Sequence, residues 1–172
     1  MSTEKDIPAA QLTVKTLEQS DELSRFDCSK NDSMGLNEFI HSEATRYQEE
    51  KLGVTYLFYY VGQTVGFATL AMSQIEIKEA PYLVPIKVKI KDYPALLIGR
   101  LATHNEYRHR NVGESICLWC LETAKELSKK IGCKLVLVLT EGKPVDFYRK
   151  VGFEVFPKYE KKTKKWMYLQ IP

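Results

Sequence analysis

Two hydrophobic periods alternate along the chain. Residues 11–17 alternate apolar and polar positions, the period of a half-buried strand. From residue 34 to 51 the period lengthens: Leu36, Phe39, Ile40 and Tyr47 recur at helical spacing, Ser33 is placed to cap the start, and Gly53 ends the run. Residues 54–61 are aromatic and β-branched, Gly62-Gln63 reads as a two-residue hairpin turn, and residues 64–78 form the returning strand. Pro81, Pro85 and Pro94 then break the pattern, and Lys87, Lys89 and Lys91 alternate as on an exposed edge or ordered loop.

The second half repeats the alternation on a larger scale. Residues 95–103 predict a central strand, residues 104–112 a polar loop, and residues 113–130 a helix with Ile116, Cys120, Ala124, Leu127 and Ile131 on its buried face and Gly132 as its stop. The apolar run 134–140 predicts a strand covered on both faces. Pro144 opens a short helix to Val151, and Gly152 follows it. A strand at 153–156, a basic turn at 158–165 and a last strand at 166–171 complete the chain. This order predicts one α/β domain on a mixed sheet, with residues 95–139 as a right-handed strand-helix-strand unit. Residues 1–10 read as a flexible tail and residues 11–172 as the single domain.

Composition narrows the function classes. The 172 residues are 44% hydrophobic and 27% charged, which excludes a disordered chain. The net charge of +3 permits anionic ligands but falls short of a dedicated nucleic-acid binder. No apolar run reaches the roughly 18 residues of a membrane span. The N-terminus lacks the basic start and apolar centre of a signal peptide. These features predict a cytoplasmic protein without a membrane partner, whose four cysteines are reduced.

Candidate chemistry concentrates in the loop Tyr107-Arg108-His109-Arg110-Asn111-Val112-Gly113-Glu114-Ser115. A helix N-terminus offers unpaired backbone N–H groups and about half a positive charge. Gly113 lets a phosphate approach the backbone, Arg108 and Arg110 add forked donors, and Asn111 tolerates a left-handed conformation. Together they describe a pyrophosphate cradle. The bland alternative is an ordinary basic strand-to-helix loop.

Downstream, Phe147-Tyr148-Arg149-Lys150-Val151-Gly152-Phe153 follows the covered strand. With Arg108-His109-Arg110-Asn111-Val112-Gly113, this resembles the GNAT (GCN5-related) N-acetyltransferase superfamily, which pairs an Arg/Gln-x-x-Gly-x-Gly/Ala loop with a Phe-Tyr-x-x-x-Gly-Phe signature. The resemblance covers most of the chain. It implies a single-domain GNAT fold of the α/β (α+β) class, a central twisted mixed sheet of about six to seven strands flanked by about four helices. Phe26-Asp27-Cys28, Leu36-Asn37-Glu38-Phe39-Ile40 and Tyr93 to Ala102 also look like the branch containing aminoacyl-tRNA-acetylating toxins and their relatives.

The resemblance implies a function: transfer of an acetyl group from acetyl-CoA, the cosubstrate, directly to a primary amine, with no metal. Residues matching Leu101, Ala102 and Thr103 bind the pantetheine arm by main-chain hydrogen bonds. Arg108, His109, Arg110, Asn111, Val112 and Gly113, with Glu114 and Ser115 opening the helix, match the pyrophosphate site. Tyr148 matches the tyrosine that protonates the departing thiolate. The chain departs from the pattern at Asn111, where the family usually has its first glycine, and at Glu141, near a common cofactor-contacting asparagine. Charged tRNA as acceptor and a CoA-binding module without turnover remain open alternatives.

Other features have bland readings beside functional ones. Tyr148 could be a packed core tyrosine beside Phe147 and Phe153. Cys117-Leu118-Trp119-Cys120 lies inside a periodic helix, away from the helix start that would activate a thiolate, and reads as core rather than redox or zinc chemistry. Residues 158–165 form a solvated turn or a contact for tRNA. Glu76, Glu79, Glu106 and His104 are the candidate general bases. Segment 81–94 and the last strand are exposed edges that could join a homodimer.

Overall fold

Val61 and Gly62 are both left-handed (φ 47° and 75°), the backbone of a type I′ hairpin turn. The turn lies one residue earlier than the sequence suggests. It joins β2 (Val54–Tyr60) to β3 (Gln63–Glu76), which pair antiparallel from Tyr60↔Gln63 to Val54↔Leu70. The structure, a computed structural model, describes residues 4–79, 83 and 87–172. Pro81 and Pro85 lie outside the described residues.

Seven strands form one sheet in the order β1-β2-β3-β4-β5-β7-β6. The others are β1 (Thr13–Thr16), β4 (Asp92–Thr103), β5 (Leu135–Glu141), β6 (Glu154–Val155) and β7 (Lys164–Gln170). β4 and β5 pair in parallel, while β1–β2, β2–β3, β5–β7 and β6–β7 are antiparallel, so the sheet is mixed as expected. The β4–β5 register runs from Ala95↔Leu135 to Ile98↔Val138, while β4 itself continues to Thr103. β1 is an edge strand whose four residues are all exposed, whereas residues 135–138 of β5 are buried, as their unbroken apolar run requires.

Three helices longer than a turn accompany the sheet among the described residues. The first, α1, runs through Leu36–Glu38, Phe39–Glu43 and Ala44–Glu49, its middle section a π-turn. Asp32, rather than Ser33, caps it: its two carboxylate oxygens accept from the N–H groups of Leu36 and Asn37, both at 2.8 Å. The second, α2, is Val112–Ser128, and the third, α3, is Pro144–Val151. Gly152, left-handed at φ 110°, ends α3. Ile116, Cys120 and Ala124 are fully buried on α2, but Ile131 is 57% exposed because α2 stops at Ser128, before its position.

By contacts the chain divides into two units, residues 1–71 with 99–120 and residues 72–98 with 121–172. In the first, Leu17, Phe26, Phe39, Ile40, Leu57 and Phe67 form the core. Gly66 is required there: a Cβ would lie 2.4 Å from Ile116 Cδ1 and 2.8 Å from the Ala102 carbonyl oxygen. Gln48 ties α1 to the strands, donating to Leu17 O (2.9 Å) and accepting from Thr55 N–H (3.0 Å). In the second unit, Tyr93, Ala95, Leu135, Leu137, Phe156 and Tyr168 form a separate cluster. No helix of the described residues is long and apolar enough to cross a membrane.

Candidate active site

The loop from β4 to α2 carries most of the candidate residues. Ala102 is buried, with Leu101 and Thr103 partly exposed beside it. His104 N–H continues the strand by donating to Val65 O at 2.8 Å. A turn of 3-10 helix, Asn105–Tyr107, follows. His109 and Asn111 then both adopt left-handed backbone, φ 61° and 63°, on either side of Arg110. Asn111 is the position singled out in sequence for this conformation; His109 belongs to another residue type enriched there. Alternating hands turn successive N–H groups toward one concavity, the geometry of an anion nest. Val112 is buried at 1%, which seats the first turn of α2, and Ser115 N–H bonds Asn111 O at 3.0 Å. Gly113 and Glu114 lie in the same first turn. Its remaining orphan N–H groups and the helix dipole add to the nest.

Neither arginine stands free in this loop. Arg108 Nη1 donates to Lys30 O at 2.6 Å and Nη2 to Cys28 O at 3.2 Å. Arg110 Nε donates to Lys5 O at 3.1 Å, and Nη1 lies 3.4 Å from the Glu4 carboxylate. Ile7, in the stretch that reads as a tail, is 1% exposed and donates its N–H to Arg110 O at 2.9 Å.

The segment beneath Arg108 is itself held residue by residue. Arg25 O receives His104 Nε2 at 2.9 Å, Phe26 O receives His41 Nε2 at 2.9 Å, and Asp27 O receives the Asn105 N–H at 2.8 Å. Asn105 Oδ1 accepts from Lys30 N–H at 3.2 Å. His104 also accepts at Nδ1 from Glu106 N–H at 3.1 Å. Both its ring nitrogens are therefore engaged within the protein. These partners have no sequence signal, because they lie tens of residues from the loop.

In the second unit, Tyr148 is buried on α3, edge-on to Phe147 (5.0 Å between ring centroids) and Phe153 (5.4 Å). The same unit holds a pocket of about 310 Å³ whose wall includes Glu76, Glu79, Phe156, Lys158, Tyr159 and Trp166. Glu79 and Lys158 form an ion pair there. Hydrogen bonding to Lys158 holds the Glu79 carboxyl below its ordinary range, and the same bond raises the Lys158 ammonium. Glu141 closes β5 opposite Lys164 of β7. Part of the basic turn is used internally, since Lys165 Nζ donates to the carbonyls of Tyr159, Glu160 and Lys162.

The C-x-x-C pair is core. Cys117 and Cys120 are fully buried, and burial pushes the Cys117 thiol up to about 12 and Cys120 well above its ordinary value.

Comparison with known proteins bears on the fold and the family. No curated protein matches the chain by sequence. Solved structures match over nearly all of it. A tyrosine-to-phenylalanine mutant of the AtaT toxin, bound to the C-terminus of the antitoxin AtaR and acetyl-CoA, superposes with a TM-score of 0.74 at 20% identity, covering 94% of each chain. AtaT complexed with acetyl-methionyl-tRNA gives 0.74 at 22% identity over 90% of this chain and 93% of that one. A tyrosine-to-phenylalanine mutant of KacT gives 0.77 at 19% identity over 94% and 95%. At these identities the likeness is one of fold. The family is shown by sequence: the Acetyltransferase (GNAT) domain pattern matches residues 51–155, more than half of the chain, and the protein belongs to the GNAT acetyltransferase family.

Proposed function

We propose that this acetyltransferase moves an acetyl group from acetyl-CoA to a primary amine by direct transfer. The observation that carries the reading is the pair of left-handed residues His109 and Asn111 around Arg110, at the mouth of α2. Such a nest of amides at a helix start fits a pyrophosphate. The Glu4 contact to Arg110 is a partly exposed ion pair and costs little to exchange for phosphate oxygens. Arg108 supports the loop from below rather than reaching for the ligand. The main chain of Leu101–Thr103, past the end of the β4–β5 register, supplies the hydrogen bonds for a pantetheine arm.

Acetyl-CoA, when bound, supplies the thioester whose acyl carbon the amine attacks and whose thiolate leaves. The balance is simple: an N–C bond forms, the C–S bond breaks, the amine gives up one proton and the thiolate gains one. Tyr148 holds a phenolic proton suited to that thiolate. Glu76, Glu79 and Glu106 remain candidates to accept the amine proton, with His104 already engaged at both ring nitrogens. Lys158 stabilises the charged form of Glu79 and so lowers its basicity.

A second reading keeps the chemistry and changes the acceptor to the aminoacyl group of a charged tRNA. It is supported by the AtaT complex with acetyl-methionyl-tRNA and by the basic turn, where Lys161 and Lys164 are exposed. The first test is thermal unfolding with acetyl-CoA and with ATP as an anion control. Selective stabilisation is expected, about 2.7 kcal/mol at a hundredfold excess over Kd. An acceptor screen of free amines, peptide N-termini and charged tRNA then separates the two readings.

A further inference from the structure

Arg100 stands on β4, one residue before the main chain of Leu101–Thr103. Its guanidinium lies 4.1 Å from the centroid of the Phe39 ring and 5.3 Å from that of Tyr47. The two rings meet edge to face at 5.6 Å, and Phe39 is buried, so this platform is fixed in the core of its unit. Phe39 also opens the π-turn of α1, Phe39–Glu43. Such turns are rare and recur at functional sites. Among the described residues the Arg100 guanidinium makes no hydrogen bond and no ion pair. No unpaired side-chain nitrogen is buried there, so its donors are open to an incoming group. Arg108 and Arg110, by contrast, both give donors to backbone carbonyls. A guanidinium stacked on rings keeps its planar fork of N–H groups free, and that fork matches the oxygens of a carboxylate or a phosphate.

We propose that Arg100 binds an oxyanion, a carboxylate or a phosphate, carried by the molecule that accepts the acetyl group. The rings hold the guanidinium flat, so little freedom is lost when its fork closes on two oxygens. Arg100 and Ala102 share one face of β4, and Ala102 belongs to the same core cluster as Phe39. The inference deepens the acetyl-transfer reading and rests on it in one respect. With the pyrophosphate at the nest of His109 and Asn111 and the pantetheine arm along residues 101–103, the thioester end comes to the Arg100 end of that run. An acceptor gripped there is oriented by its own negative charge.

The test titrates the full chain, with coenzyme A present to fill the nest, with acetate and with inorganic phosphate at constant ionic strength in chloride. The Nε–H nuclear resonance of Arg100, assigned through Arg100→Lys, is followed. A saturable shift with at least one anion is expected, and the tighter of the two tells carboxylate from phosphate. Calorimetry then compares β-alanine and O-phosphoethanolamine with ethanolamine, which has the amine and no oxyanion. The better anionic amine should bind about tenfold more tightly than ethanolamine, the scale of a hydrogen-bonded charge pair. Arg100→Gln should erase that difference and Arg100→Lys restore part of it, each variant checked for an intact thermal transition. No shift at Arg100 with either anion would overturn the proposal. So would equal binding of the three amines, or a preference that survives Arg100→Gln. Selective stabilisation by acetyl-CoA without an anion response at Arg100 would sink this site and leave the acetyl-transfer reading standing. An anion response at Arg100 with no acetyl-CoA stabilisation would do the reverse.

Discussion

Arg108 donates to the carbonyl oxygen of Lys30 at 2.6 Å, across 78 residues of sequence, and to that of Cys28 at 3.2 Å. A residue placed by pattern in a phosphate loop thus works as the strut beneath it. Arg108→Ala should cost about 1–3 kcal/mol of stability, the range for hydrogen bonds to a charged donor. Arg108→Lys keeps the charge but not the fork and should recover only part of that loss. Urea unfolding of the two variants measures both. Full stability in Arg108→Ala would show that the loop does not depend on the strut.

Asn111 and His109 hold left-handed backbone, which is sterically harder for a side chain than for glycine. Asn111→Gly, which restores the usual family residue, should raise stability by about 0.5–1 kcal/mol and leave the nest intact. Asn111→Val should lower it, since a β-branched residue resists this region most. Thermal unfolding of the pair reads the sign directly.

Glu4 competes for Arg110 with any phosphate brought to the loop. Glu4→Gln should therefore tighten acetyl-CoA binding, by no more than about fivefold for an ion pair this exposed. Weaker binding in the variant would mean that Glu4 orients Arg110 instead of occupying it.

Tyr148→Phe keeps the ring between Phe147 and Phe153 and removes only the hydroxyl. Turnover should fall by about 10²–10⁴, the usual worth of a general acid, with KM for acetyl-CoA and the melting temperature little changed. Equal turnover across pH would return Tyr148 to a packing role.

Burial pushes the thiols of Cys28 and Cys117 up to about 12 from an ordinary 9.0, with the Asp32 charge adding to the effect at Cys28. At about pH 8 both should resist a thiol reagent until the chain unfolds, because the thiolate is the reactive form. The folded state favours the protonated thiol. Its contribution to stability is complete below 9.0 and drains away as pH rises toward about 12. Denaturant midpoints should fall across that alkaline window, and Cys117→Ala should flatten the decline.

Much of this protein was legible in the order of its residues. The alternation around Val61-Gly62 determined a hairpin, although its turn lay one residue earlier than the dipeptide Gly62-Gln63 suggests. The spacing of Ile116, Cys120 and Ala124 determined the buried face of α2, and Asn111 announced its own left-handed conformation. These are local matters: period, turn chemistry and backbone preference are settled within a few residues. The tertiary structure decided the rest. Arg108 found carbonyls 78 and 80 residues away, Ile7 docked on Arg110, and Lys158 met Glu79 at a separation of 79. Such partners are chosen by which chain segments burial brings together, and no local period records that choice.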